Sequence, residues 1–199
     1  IINKNCINFI KKITSSKWEY GNKFFYFTVL ICFTAIAYYN LNIGFIMSPD
    51  SFKYSQSGDI LIKLNFNLFD YYSLKTISDY NPSYIYTVPV ILISFSKFFF
   101  GNEWQFGFMV INLFSTFFSL IFFSKILLLL KIRPLIISLA IPILVLSVDL
   151  LTWPRYILTD SIFSFLVMFT IYFMTKCIIR NKFYYFPLIF TIFLLFLTR

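Results

Sequence analysis

The sequence predicts an all-α fold, a polytopic transmembrane helix bundle with a long first external loop containing juxtamembrane helices. Three observations carry this expectation. Of 199 residues, 59% are apolar and only 13% are charged, whereas soluble domains carry about 25% charged residues; a water-soluble globule and a disordered chain are both excluded. Apolar runs recur at about 20 residues, the length a helix needs to cross a bilayer. The cations, 17 Lys and Arg against 8 Asp and Glu, fall in small groups between those runs, which suits topology signals and gives no nucleic-acid surface.

The first span is expected at about 24–46. Lys4, Lys11, Lys12, Lys17 and Lys23 precede it, so the positive-inside rule puts the N-terminus in the cytoplasm and the external loop, 47–83, on the other side. Within that loop Ser48, Pro49 and Asp50 have the form of a helix start: an N-cap, a proline at the first helical position and an acid in the first turn. Phe52, Ile60, Leu61 and Leu64 recur at loosely helical spacing over 51–64, which predicts an amphipathic helix on the membrane surface.

Residues 84–100 are apolar but short, contain Pro89 and carry Lys97 near their end. Read as a crossing, they would send Lys125, Lys131 and Arg133 outside. Read as a juxtamembrane helix on the outer face, they let span 105–130 run inward, and that cluster then joins Lys176, Arg180 and Lys182 in the cytoplasm. The second arrangement obeys the charge rule. Further spans are expected at about 134–152, 158–178 and 183–198. Asp50, Asp59, Asp70, Asp79, Glu103, Asp149 and Asp160 then gather at or near the external face, with Glu19 alone inside. The whole of 1–199 reads as a single transmembrane domain. Its start without Met and its end inside an apolar run read as a fragment of a longer chain.

The chemistry is bounded by what is missing. No His is present, so Ser-His-Asp and Cys-His catalysis are out and proton transfer falls to carboxylates, Lys or Tyr. Cys6, Cys32 and Cys177 lie far apart with no CxxC pair and read as reduced packing residues. Asp59, Asp70 and Asp79 read as acids tolerated in an external loop. Asp50 and Asp160 sit within a few residues of spans, where an ionisable group is a functional candidate, although Asp50 could simply complement a helix dipole. Lys53 and Lys97 read as solvated or snorkelling cations. Trp104, Trp153, Tyr54, Tyr84 and Tyr86 could stack on sugar rings or form an interfacial aromatic belt. Arg155, five positions before Asp160 and expected on the same face, could stabilise a departing phosphate or anchor at headgroups.

Four segments carry a family likeness: Ser48-Pro49-Asp50-Ser51 with Tyr54; Asn81-Pro82-Ser83-Tyr84-Ile85-Tyr86 through Phe99-Phe100-Gly101; Phe106-Gly107-Phe108-Met109-Val110-Ile111-Asn112; and Arg155-Tyr156-Ile157-Leu158-Thr159-Asp160-Ser161-Ile162-Phe163. In this order the chain resembles the N-terminal portion of the C-type glycosyltransferase superfamily, in particular its family 39-like branch of protein O-mannosyltransferases and lipid A aminoarabinose transferases. It departs from them where Ser51 stands in place of a second acid and Ser83 in place of a second proline. The resemblance implies transfer of a sugar from a polyprenyl phosphate-linked donor to a glycan, lipid or protein acceptor on the non-cytoplasmic face, with membrane lipid as solvent. It implies Asp50 as general base, and Asp160 as shaping the acceptor site or holding a divalent metal. Asp160 with Arg155, Tyr54, Tyr84, Tyr86 and Lys53 makes the expected substrate-binding set. The Ile, Phe, Lys and Asn bias suits an AT-rich bacterial genome, hence an inner (plasma) membrane. The rival is a polytopic lipid or solute transporter or flippase, which needs ionisable or helix-breaking residues near midspan; a purely structural subunit is the third reading.

Overall fold

The computed structural model describes residues 4–74, 86–180 and 184–198, with side chains from residue 24 onward apart from Val148 and Arg180. Among these residues every regular element is helical: α1 Lys4–Ile43, α2 Pro49–Lys63, α3 Leu68–Ser73, α4 Thr87–Phe100, α5 Trp104–Leu129, α6 Pro134–Val145, α7 Val148–Thr152, α8 Asp160–Arg180 and α9 Tyr185–Thr198. By length and composition three segments can cross a membrane, Phe24–Ile43, Thr87–Leu129 and Asp160–Ile179, or four if the bent pair Pro134–Val145 and Asp149–Arg155 counts as one. Large apolar side chains face outward along them, including Phe27, Leu30, Phe114, Ile143 and Ile178. So large an apolar surface suits lipid and not water.

Two of the expected spans, 134–152 and 183–198, take the following form. Segment 134–152 is bent: α6 ends at Val145 with Leu146 as its C-cap, and Ser147 turns extended (ψ 130°) with its hydroxyl donating to Leu144 O at 2.7 Å. At 183–198 the described helix is α9, Tyr185–Thr198, an apolar helix of 14 residues.

The stretch Thr87–Leu129 spans 43 residues, about 65 Å of continuous helix and so twice a bilayer's need. It does not run straight. Gly101 adopts φ +54° and ψ −119°, a conformation only glycine takes cheaply, and α4 and α5 then pack on each other. Ile93 of α4 shares a cluster with Trp104 and Phe108 of α5.

Directions follow from the pairings. Rings of α5 and α8 meet in parallel register, Phe118 with Phe165 at 6.0 Å and Phe122 with Phe169 at 4.8 Å. The intervening 130–159 must therefore carry the chain back along the bundle. α6 does this beside α1, where Phe25, Val29 and Ile36 pack with Ile137, Ile141 and Val145. The start of α2 and the start of α5 share one cluster through Met47, Tyr54, Trp104 and Phe108, so the connection between α1 and α5 returns to the end it left. On α5, Ser115, Thr116, Ser119 and Ser124 are buried and each hydroxyl donates to the carbonyl four residues back. Small hydroxyl residues that satisfy themselves this way let neighbouring helices approach in lipid.

α2 forms where the sequence predicts it, but it faces differently. Its buried residues are Ser51, Ser57, Gly58 and Leu61, while Phe52 is exposed. The small pair Ser57-Gly58 lets α2 close on α4, where a Cβ at Gly58 would lie 3.2 Å from Ile93 and 3.3 Å from the Ser94 hydroxyl. Leu61 joins Tyr71 and Val90 in a small cluster, with Ile60 and Leu64 at its edge, so α2 packs on protein and does not lie by that face on lipid.

Candidate functional site

After α1, Gly44 (φ +81°) turns the chain, and Ile46 runs extended beside Tyr156 as an isolated parallel bridge. Ile46 N donates to Arg155 O at 2.8 Å and Ile157 N donates to Ile46 O at 3.0 Å. Ser48 then caps α2: its hydroxyl accepts from Ser51 N at 3.2 Å, and the Ser51 hydroxyl accepts from Ser48 N at 3.0 Å. The same Ser51 hydroxyl donates to Ile157 O at 2.7 Å. Segments 46–51 and 155–157, 106 residues apart at that bond, are thus docked on one another, with Asp50 beside one and Asp160 just past the other.

Two amides hold this region from beneath. Asn112 of α5, 0% exposed, donates from Nδ2 to Tyr156 O at 2.8 Å, with Pro154 O at 3.4 Å and Leu158 O at 3.5 Å. Asn40 of α1, also 0% exposed, donates to Ile36 O at 2.7 Å and Leu151 O at 2.8 Å. Residues 153–159 make a 3₁₀ turn and an irregular stretch whose carbonyls lack helical partners, and amide donors answer that need. Around the same segment the buried atoms Asn40 Oδ1, Asn112 Oδ1, Arg155 Nε and Ser161 Oγ have no hydrogen-bond partner.

The expected site residues divide. Asp50 lies in the first turn of α2 with 62% of its side chain exposed, 3.6 Å from the Lys53 ammonium; an exposed pair of this kind contributes only a few tenths of a kcal/mol. The rings of Tyr54 and Tyr86 pack at 5.3 Å, and Tyr54 lies against the cluster holding Ile157 and Ile162 on either side of Asp160. Asp160 is half-buried in the first turn of α8. Arg155 is half-buried with its guanidinium 5.8 Å over the Tyr156 ring. Tyr84 and Asp79 lie outside the described residues.

Arg155 closes the 3₁₀ turn and Asp160 opens α8, with 156–159 irregular between them. Among the described residues no group of three or more His, Cys, Asp or Glu comes together to hold a metal. No chemical step is routed through a metal.

Lys97, expected as a solvated or snorkelling cation, is held by protein groups. Its side chain is 11% exposed, and its ammonium donates to Asp59 Oδ1 at 2.6 Å and Ser55 O at 2.8 Å and lies 5.0 Å from the Trp104 ring centroid. These contacts tie α2 to α4 and to the start of α5. Lys97→Met should cost about 1.5 kcal/mol, the low end for bonds to charged groups, because Asp59 is half-exposed and screened. A lowered unfolding midpoint in detergent is expected; an unchanged midpoint would count against the tie.

No family model, curated protein or solved structure matches the chain.

Proposed function

We propose that this chain belongs to an integral membrane enzyme that moves a sugar from a polyprenyl phosphate-linked donor to an acceptor on the non-cytoplasmic face. The observation that supports it most is the docking of the Ser48–Ser51 cap on Ile157, which gathers Asp50, Lys53, Tyr54, Tyr86, Arg155 and Asp160 toward one end of the bundle. A long isoprenoid tail dissolves only in lipid, so its sugar–phosphate bond is presented at the membrane surface, where such a site must lie. The N-terminus is then cytoplasmic, in a bacterial inner membrane. Lys125 and Lys176 at the far end of α5 and α8 agree with this orientation.

In the proposed reaction Asp50 takes the proton of an acceptor hydroxyl as its oxygen bonds to the anomeric carbon. The bond from that carbon to the phosphate oxygen breaks, with inversion, and polyprenyl phosphate leaves. Arg155 offsets the charge that develops on it. Exposure gives Asp50 access to an incoming acceptor, and the Tyr54–Tyr86 pair offers a ring face for a sugar. The test is transfer of radiolabelled sugar from a polyprenyl phosphate donor in membranes holding wild-type or Asp50→Asn protein.

A transporter or flippase is the second reading, and one observation favours it. Pro134–Val145 and Asp149–Arg155 form a pair bent by 72°, and broken helices line midplane sites in transporters. Beside the bend, a cavity of about 210 Å³ is lined by Ser119, Ser147, Asp149, Trp153, Ser164 and Met168. Asp149→Asn should leave sugar transfer unchanged under the enzyme reading. Absent transfer in the wild type, together with lipid or solute movement that depends on Asp149, would favour the transporter.

A further inference from the structure

The end of α5 and α8 remote from the acidic segments carries two lysines seated on one block of aromatic rings. The Lys176 ammonium lies 4.5 Å from the Tyr184 ring centroid, 5.6 Å from Tyr172 and 5.8 Å from Phe173. Lys125 lies 5.5 Å from Phe122. Phe122 contacts Tyr172 at 5.3 Å, and Phe173 contacts Tyr184 at 5.9 Å, so the rings join both cations into one patch. Ring faces hold an ammonium by its positive charge without using up its N–H groups as a carboxylate would. Among the described residues the ion pairs are Lys53–Asp50 and Lys97–Asp59, both on the connection between α1 and α5, and neither lysine of the patch has a carboxylate within pairing distance. Both are half-buried, which orients them at the rim of the apolar bundle.

We propose that Lys125 and Lys176 form a seat for the phosphate of an anionic phospholipid headgroup, the ring block fixing both ammoniums while the acyl chains lie along exposed apolar residues such as Phe118, Met174 and Ile178. Basic pockets between transmembrane helices take such headgroups. The seat is independent of the reaction proposed above and stands or falls separately from it.

The test is native mass spectrometry of the purified full chain, released from nanodiscs of equal parts phosphatidylglycerol and phosphatidylcholine. The wild type should retain phosphatidylglycerol in preference to phosphatidylcholine. Each surface cation contributes about a 5-fold effect, so Lys125→Gln with Lys176→Gln should lower that preference about 30-fold. Lys176→Arg should preserve it, and Lys63→Gln, on exposed α2 surface, should not change it. Excess inorganic phosphate should fail to displace the lipid. Equal retention of the two lipids, an undiminished preference in the double variant, or displacement by inorganic phosphate would overturn the proposal.

Discussion

Asp50→Asn is expected to lower sugar transfer by about 10²–10⁴-fold, the usual contribution of a positioned general base, while membrane insertion and unfolding midpoint stay close to wild type. Asn keeps the size of the side chain and removes its basicity. The competing account is that Asp50 only complements the α2 dipole, a role worth about 0.3–1 kcal/mol at an exposed helix start. That account predicts a small stability change and normal turnover, so the two differ by orders of magnitude in rate. Asp70 supplies the control: it also sits in the first turn of a helix, α3, where Asn67 Nδ2 donates to its Oδ2 at 2.6 Å. Asp70→Asn should transfer sugar as the wild type does. Near-normal turnover by Asp50→Asn would remove Asp50 from the chemistry.

Asn112→Leu is expected to have the largest effect on the fold. The substitution deletes the donor to Tyr156 O and leaves that carbonyl in an apolar setting, at about 1–3 kcal/mol. Polar contacts between membrane helices average only about 0.6 kcal/mol where the stranded group finds a substitute. Here the neighbouring carbonyls of Pro154 and Leu158 need a donor themselves, so the upper part of the range applies. The unfolding midpoint should fall, and sugar transfer should fall with it because Arg155 and Asp160 lie on the segment that Asn112 holds. Ser115→Ala, one turn further along α5, removes a hydroxyl that donates only to Ile111 O, a carbonyl inside the helical ladder. It should change stability by less than about 0.5 kcal/mol. Equal midpoints for Asn112→Leu and Ser115→Ala would show that the amide holds nothing.

What could be read from the sequence was local. The start of α2 was legible because capping involves Ser48, Pro49, Asp50 and Ser51 alone. The latches Asn40 and Asn112 were not: an amide in an apolar run announces a polar partner but not which one, and their partners lie 111 and 44 residues away. The Lys97–Asp59 tie, 38 residues apart, was hidden for the same reason. The break between α6 and α7 was hidden as well, since hydropathy measures what lipid tolerates and not where the backbone ladder stops.

The meeting of the two acidic segments can be checked without any substrate. With Cys6, Cys32 and Cys177 replaced by Ser, cysteines introduced by Ile46→Cys and Tyr156→Cys occupy bridged neighbours, whose spacing of about 4.8 Å falls inside the disulfide window of about 4.4–6.8 Å. Mild oxidation of intact membranes should join them rapidly and within one chain. If they stay reduced, and a longer thiol-reactive linker also fails to join them, the segments bearing Asp50 and Asp160 lie apart and the proposed site does not exist.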